Sequence, residues 1–442
     1  MKPDQLGSQP PRPPRMKKLT TLRLAAATYF LVAGGPYGLE ELVQAGGFAY
    51  AALAICVTPI LFSLPTALMV GELASAIPEE GGYYAWVKRA LGPFWGFVEG
   101  WLSLCASFFD MAIYPTLFLT YLARLVPALA DGPVRLTAGV AMIAGCTIYN
   151  LRGARGVGNA SLVLSALLLG PFAVFGVAAL AHTPVSAPDT IAPLAPAGGF
   201  GAGLLVAMWN FMGWDNASTF AGEVERPQRT YPRAMAFAVG AVVVTYLLPV
   251  AAASRANLAP AQWETGSWVT AASNVGGVWL ARAVVLGGVL CGVGMYNALL
   301  LSYSRVPAAL AADGLLPAIF RKTNARGVPV FSVVACSVVY SAGLLLSFRR
   351  LVEIDLLFYG AALTLEFVAL AVLRVKEPSL PRPFRVPGRL PGAMLAGVLP
   401  TALFAFALVK EMGDGKGHTA AIVAVTASVA VGGAVWLARR KA

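Results

Sequence analysis

The chain has 442 residues, 58% of them hydrophobic and only 12% charged, with a net charge of +12. Soluble domains carry roughly a quarter charged residues, so this chain has too little charge to cover a water-facing surface, and its mean hydropathy of +0.70 agrees. A purely soluble domain is excluded, and the length suffices for about twelve apolar helices of ~20 residues with short connections.

Met1 to Lys18 is rich in proline and basic residues and has no apolar core. It reads as a disordered cytosolic tail (1–18), not as a signal peptide. Apolar runs then follow at Leu19 to Gln44, Phe48 to Val70, Phe94 to Leu122, Leu136 to Leu151, Val157 to Ala181 and Phe200 to Ala221. A second set lies at Ala234 to Ala253, Val278 to Leu310, Val328 to Leu346, Ile354 to Val375, Pro391 to Lys410 and Thr419 to Ala438. These runs are too long and continuous for barrel strands, which take about ten alternating residues. The expected fold class is therefore an all-α integral membrane protein with about 12 transmembrane helices.

Two spans are interrupted. The first reads LVAGGPYGLEELVQAGG, with Gly34, Gly35, Pro36 and Gly38 near its middle. Proline removes an amide hydrogen and clashes with the preceding turn, and glycine permits an unwound path. The sixth reads MWNFMGWDNASTFAGEVERP, with Gly213 beside Trp214 and Asp215. Irregular backbone at membrane depth is tolerated only where protein or a watery cavity satisfies it. Spans one and six open two successive sets of five. Interrupted helices at corresponding positions of two halves point to an inverted-repeat carrier with a midplane site. The plainer alternative is a Gly-Pro kink that serves helix packing.

Two connections are longer than the rest. Gly71 to Pro93 is amphipathic and aromatic, suited to lie along the inner membrane surface. Ser254 to Gly277 carries Trp263 and Trp268 and reads as an outer interfacial or lid segment. With the N-terminus inside, inner loops and tails hold about 25 of the 33 Lys and Arg residues. The inner clusters include Lys88 and Arg89, Arg152 and Arg155, Arg226, Arg229 and Arg233, and Arg374 to Arg389. This asymmetry supports the span count, puts both termini in the cytoplasm and accounts for the basic balance without a nucleic-acid partner.

Carboxylates within or bordering spans include Glu40, Glu41, Glu99, Asp110, Asp215, Glu223 and Glu366, with almost no Lys or Arg at comparable depth. A carboxylate at the bilayer centre costs at least ~2.5 kcal/mol on insertion scales, so such a surplus favours a cationic substrate, protons or both. Asp110 precedes Tyr114 by one helical turn, and Asp215 precedes Thr219 likewise. Tyr37, Tyr114, Trp209, Phe211, Trp214 and Tyr296 are candidate cavity aromatics, since a ligand cation gains about 0.5–2 kcal/mol over a well-placed ring. No HExxH, GxSxG or Walker A motif occurs, and the glycines at 199, 201 and 203 open a membrane span instead of following a strand. The five cysteines form no CxxC pair and only two histidines are present, so neither a metal site nor a cofactor is expected.

The segments GGPYGLEELVQAGG (34–47), GELASAIPEEGGYYAWVKRALGPFWGFVEGW (71–101), GWDNASTFAGEVERPQRTYPRAM (213–235), AADGLLPAIF (311–320) and LEFVALAVLRVKEPSLPRPFRVP (365–387) carry a family resemblance. At these residues the chain resembles the amino acid–polyamine–organocation superfamily, and within it the polyamine uptake transporters of plants and protists. The resemblance implies a five-plus-five inverted-repeat core with two further helices, alternating access and, usually, proton-coupled uptake. It implies that 34–38 form the first unwound segment, that Trp209 is an aromatic gate, and that Asp110, Asp215 and Glu366 are functional acidic positions. Amino acid carriers of the superfamily usually hold the substrate carboxylate on free amides at the first break, where this chain has Pro36 and Tyr37. A lysine that some proton-coupled relatives carry in the fifth helix is missing here.

The sequence thus points to an inner-membrane secondary transporter importing a small organic cation such as putrescine or spermidine, with an amino acid permease or exchanger as the alternative. A channel would show a repeated filter, and an enzyme a nucleophile or metal motif. Residues 19–181 and 199–375 would form the two repeats, and 391–438 the last two helices. The expected substrate-binding residues are Gly34, Gly35, Pro36, Tyr37, Gly38, Glu40, Glu41, Asp110, Tyr114, Trp209, Phe211, Gly213, Trp214, Asp215 and Tyr296. Asp215, Glu41 and Glu366 are the proton-coupling candidates. The expected partners are the small-molecule substrate, protons and the lipid bilayer.

Overall fold

The computed structural model describes residues 19–79, 81–153, 157–181, 200–413 and 418–440. The expected tail, the loop between 182 and 199, and Arg155 lie outside the described residues. Regular structure among the described residues is helical, apart from isolated bridges pairing Leu19 with Val224 and Thr323 with Pro329. Side chains such as Phe237, Leu248, Val338 and Leu180 stand exposed on the outside of the bundle. So many exposed large apolar residues call for lipid, not water.

Helix α1 (Thr21–Val32) stops at the glycine-proline run, and α2 (Glu40–Thr58) starts after it. Gly35 sits at φ 76°, in the left-handed region that only glycine adopts cheaply, and Pro36 cannot donate back to the preceding turn. A second break falls at Gly47 (φ 78°, ψ 179°), so α2 is a short half-helix followed by a span. That span continues through a π turn at Pro59–Ser63 into α3 (Leu64–Ala76). The surface helix α4 (Tyr83–Leu91) precedes the long α5 (Pro93–Ala123), and α6 (Gly132–Asn150) and α7 (Val157–Ala181) follow.

The second half begins with α8 (Phe200–Asn210), which ends at the other expected break. Residues 211–214 leave helical geometry, with Gly213 at φ 91°, and a 3-10 helix covers Asp215–Glu223. Helix α9 (Pro227–Ala253) leads to α10 (Ser267–Tyr303), which is broken at Gly277 (φ 76°, ψ −173°). Then come α11 (Arg305–Ala312), α12 (Val330–Ala342), α13 (Phe348–Lys376), α14 (Arg389–Gly413) and α15 (His418–Arg440). Six helical stretches among the described residues are long and apolar enough to cross a membrane. Four shorter apolar helices accompany them, Thr21–Val32 among them. The breaks account for part of the shortfall from twelve, because they cut the first and sixth spans into pieces below spanning length.

In both long connections the large aromatic side chains turn into the protein. Trp263 and Trp268 are fully buried instead of resting at an interface. Their rings meet at 4.9 Å edge to face, Trp268 contacts Phe172 and Phe175 of α7, and its Nε1 donates to the Pro36 carbonyl at 2.9 Å. The connection is therefore strapped onto the first break. On the other side, Tyr83, Tyr84 and Trp86 of α4 are buried in protein. Apolar rings find more contact against α5 and α13 than in a headgroup layer.

The face bearing α4 is bound by charge. Glu72 of α3 is fully buried and takes Arg374 in a two-pronged pair, Arg382 at 3.3 Å and the Val386 amide at 2.7 Å. Nearer the rim, Lys88 pairs with Asp313 at 2.6 Å and Arg89 with Glu377 at 2.8 Å. The Arg89 guanidinium holds the Glu377 carboxyl below the usual carboxylate range. The contribution of that pair is full above the unfolded carboxyl's value and fades as pH falls through the lowered one.

Candidate functional site

The two breaks meet. A Cβ built on Gly213 would stand 2.8 Å from the Leu31 carbonyl oxygen, so only glycine lets the second break approach the end of α1. A Cβ on Gly38 would likewise stand 2.8 Å from the Trp209 ring, and one on Gly34 would strike the sulfurs of Met295 and Cys291. Gly213→Ala therefore meets both a positive φ and a backbone oxygen. It should cost about 1–3 kcal/mol of strain and reduce uptake sharply, while Gly240→Ala, with open space around its Cβ, serves as the neutral control. Uptake and thermal unfolding of the two variants check this.

Between the breaks lies a narrow, nearly closed cleft, with about 10 Å³ of space that a water could occupy. Its lining includes Leu31, Val32, Gly34 and Tyr37 from the first break and Trp209, Asn210, Met212, Gly213 and Asn216 from the second. Asp110, Tyr114 and Leu117 of α5 and Tyr246, Met295 and Tyr303 of α9 and α10 complete the lining. Asp110 is buried and accepts hydrogen bonds from Tyr114 Oη at 2.7 Å, Tyr303 Oη at 2.9 Å and, more weakly, Trp209 Nε1 at 3.4 Å. Its charge is thus held by aromatic hydroxyls and an indole, with no Lys or Arg in the lining.

Asp215 lies next to the cleft, not in its wall. Tyr359 of α13 donates to Asp215 Oδ1 at 2.6 Å and accepts from the Gly213 amide at 3.0 Å, tying the second break to α13. On the side away from Asp110, Glu99 and Glu366 are buried, each with one carboxylate oxygen lacking a hydrogen-bond partner among the described residues. Both feel the charge of Asp215. The Glu223 side chain lies outside those described.

Helix polarity sets the sign of the site. The C-terminal ends of α1 and α8 open onto the cleft, and helix C-termini carry about half a negative charge. The opposing positive ends are already matched. Glu40 stands in the first turn of α2 and accepts the Gly38 amide at 2.7 Å, the Gly266 amide at 3.0 Å and the Tyr121 hydroxyl. Asp215 stands in the first turn of the 3-10 helix. An anionic ligand group would find the amide of Gly38 already engaged.

Of the expected site residues, Gly34, Tyr37, Asp110, Tyr114, Trp209 and Gly213 line the cleft. The others do not. Gly35 backs onto Leu168, and the Pro36 carbonyl takes Trp268. Gly38 is held by Glu40, while Glu41 accepts from Thr265 in the outer connection. Both glutamates are thus removed from the cleft, because they cap a helix start and anchor the strap over it. The Phe211 ring stacks edge to face on Tyr246, and Trp214 donates back to the Phe211 carbonyl at 2.8 Å. Tyr296 is buried outside the cleft, because Met295 takes the inward-facing position about 100° earlier around α10.

Sequence reasoning missed Tyr303, Tyr246, Asn216, Tyr359 and Asp355. Tyr359 and Asp355 share one face of α13 at i and i+4, a spacing present in the sequence.

An amino acid permease family model matches residues 19–435. The chain is 36% identical over 408 residues to the polyamine transporter PUT1 of Oryza sativa subsp. japonica, covering 90% of this chain and 75% of that protein. It is 33% identical over 392 residues to the polyamine transporter RMV1 of Arabidopsis thaliana, covering 88% and 80%. To the glutamate/gamma-aminobutyrate antiporter of Lactococcus lactis subsp. lactis it is 25% identical over 382 residues, covering 79% and 75%.

Proposed function

Because the chain belongs to the amino acid permease family of the amino acid–polyamine–organocation superfamily, we propose that it moves a small organic cation through the cleft between its two broken helices. Membership makes the protein an integral, multi-pass membrane transporter of a small molecule, not an enzyme. The substrate class is a linear polyamine such as putrescine or spermidine. The observation that carries this reading is the polarity of the site. Asp110 and two helix C-termini face the cleft without a basic partner, while Glu40 holds the amide that an amino acid's carboxylate would need.

Ammonium groups pair with Asp110 and then with Asp215 as Tyr359 swings aside, and the methylenes lie against Trp209, Tyr114 and Tyr37. Glu40 and Glu41, expected among the binding residues, hold no ammonium in this reading, because Glu40 accepts the Gly38 and Gly266 amides and Glu41 accepts from Thr265. Polyamine relatives over nine-tenths of the chain support the substrate class. The antiporter relative supports the alternative of an amino acid or an exchange mode, which the engaged Gly38 amide opposes.

Two five-span repeats, 19–181 and 199–375, with 391–438 added, make up a twelve-span carrier in this reading. Two breaks at matching places support it, as do the matching junctions at Gly92 (φ 96°, ψ 175°) before α5 and Gly277 (φ 76°, ψ −173°) within α10. Each junction follows a short helix and starts a long span. The protein sits in the cell's inner membrane with both termini and the Glu72 face cytoplasmic, as the basic clusters there require.

Proton coupling falls to Asp215 with Glu99 and Glu366, a buried carboxylate group on the cytoplasmic side of the cleft. Glu41 is withdrawn as a coupling residue because it faces the strap. Glu366→Gln should leave exchange of labelled for unlabelled substrate within about twofold of the parent and flatten the response to a pH gradient. Net uptake and counterflow measured side by side check this. The decisive experiment for the function is uptake of labelled putrescine and spermidine into proteoliposomes, with and without an imposed pH gradient. Uptake of neutral amino acids with none of either polyamine overturns the substrate class.

A further inference from the structure

Asp355 is the most anomalous polar side chain in the molecule. It is fully buried on α13, and neither carboxylate oxygen has a hydrogen-bond partner among the described residues. A buried polar group is ordinarily satisfied, and a lone buried charge is among the costliest features a fold can keep. Among the described residues no Lys or Arg is recorded as acting on it. The charges it feels are those of Asp110 and Asp215, and its own charge reaches Tyr114 and Tyr303, the two hydroxyls that hold Asp110. It is not among the residues that line the cleft. The stack of Phe109 on Phe358, with centroids 5.9 Å apart and planes 7° from parallel, fixes this turn of α13 alongside Asp110. Four residues further along the same face, Tyr359 reaches Asp215.

Three carboxylates therefore surround one region at the second break. Asp110 and Asp215 are satisfied by tyrosines, and Asp355 is satisfied by nothing. A diamine brings two positive charges and a linear triamine brings three. We propose that Asp355 is a third ammonium anchor, reached when Tyr114 and Tyr303 turn aside, and that it makes the site select linear triamines over diamines. The proposal rests on the polyamine reading of the same cleft. In the absence of the third amine, Asp355 feels only the like charges of Asp110 and Asp215 among the described residues. With it, each carboxylate has an opposite charge and both orphaned oxygens gain a donor. The selectivity comes from that difference, since it is the group left unpaired by the shorter ligand that discriminates most strongly.

The test uses the full-length protein in detergent or liposomes, with putrescine and spermidine as probes, and compares the parent with Asp355→Asn and Asp355→Glu. Asparagine keeps the shape and removes the charge, and glutamate keeps the charge with one added methylene. In the parent, spermidine should bind at least about tenfold more tightly than putrescine, the factor expected for one added charge-assisted contact. Asp355→Asn should abolish that ratio by weakening spermidine alone, with putrescine changed by less than twofold. Asp355→Glu should restore part of the ratio. A purely structural role for Asp355 would shift both ligands together, or shift thermal stability with the ratio intact, and either result overturns the proposal. Equal affinity of the parent for both amines overturns it while leaving the polyamine reading standing. Binding of neither amine to a folded, monodisperse parent overturns both.

Discussion

Asp110→Asn should lower polyamine uptake at subsaturating substrate by about 30- to 3,000-fold, which corresponds to the 2–5 kcal/mol lost when one partner of a buried charge pair is removed. The size of the effect comes from the surroundings. Asp110 lies in a cleft with no competing cation, where water screens little and each ammonium contact counts fully. Asparagine retains the oxygen that accepts from Tyr114, but it turns an amino group toward Tyr303, so one hydroxyl must reorient. That rearrangement should cost only about 1 kcal/mol, and the variant loses the expense of a buried charge in exchange. The thermal midpoint should therefore stay near the parent's, or rise, as uptake collapses. Uptake within about twofold of the parent would remove Asp110 from the binding machinery.

Glu72→Ala should destabilise the protein by about 3–5 kcal/mol, the range seen when one member of a buried ion pair is deleted and its partner remains. Glu72 is the common acceptor for Arg374, Arg382 and the Val386 amide. It joins α3 to the C-terminal end of α13 and to the turn before α14. Without it, two nearly buried guanidiniums keep only carbonyl acceptors such as those of Leu373, Glu377 and Val386. The expected readout is a thermal midpoint several degrees lower and faster proteolysis at the turn between α13 and α14. Adding Arg374→Ala to Glu72→Ala should recover part of the loss, because it removes one of the stranded charges. A Glu72→Ala midpoint within roughly 1 °C of the parent would mean that the carbonyls alone suffice.

The breaks were legible because they are written in residues that helices reject. Gly34 to Gly38 and Gly213 could not continue α1 and α8, and both segments depart from helical geometry where expected. The acidic character of the site was legible for the same kind of reason, since Asp110 and Asp215 stand in otherwise apolar runs. What the sequence did not reveal was which way each residue faces. Met295 and Tyr296 are neighbours on one apolar helix, and only the packing of α10 decides that the methionine lines the cleft. Glu40 and Glu41 sit under one turn from the first break and looked like ligands for a substrate. Their capping role depends on Gly266 and Thr265, more than two hundred residues away in the chain. Asp355 stands at the very start of the apolar run Ile354 to Val375, directly after the charged residues Arg349, Arg350 and Glu353, where burial has no sequence signal. In the fold, Arg349 and Glu353 pair with each other at 2.8 Å, and Asp355 turns inward alone.

The closure on the Glu72 side has two tiers that respond differently to dissolved ions. Lys88–Asp313 and Arg89–Glu377 are about a third exposed, and pairs of that kind weaken as the Debye length shrinks from about 10 Å at 0.1 M salt to 3 Å at 1 M. The Glu72 cluster is sealed from solvent and keeps its strength. Concentrated salt applied to that side alone should loosen the rim without releasing the deeper clasp. With the Glu72 face cytoplasmic, as proposed above, osmotic stress inside the cell raises ionic strength on that side and would bias the carrier's resting equilibrium toward it with no ligand involved.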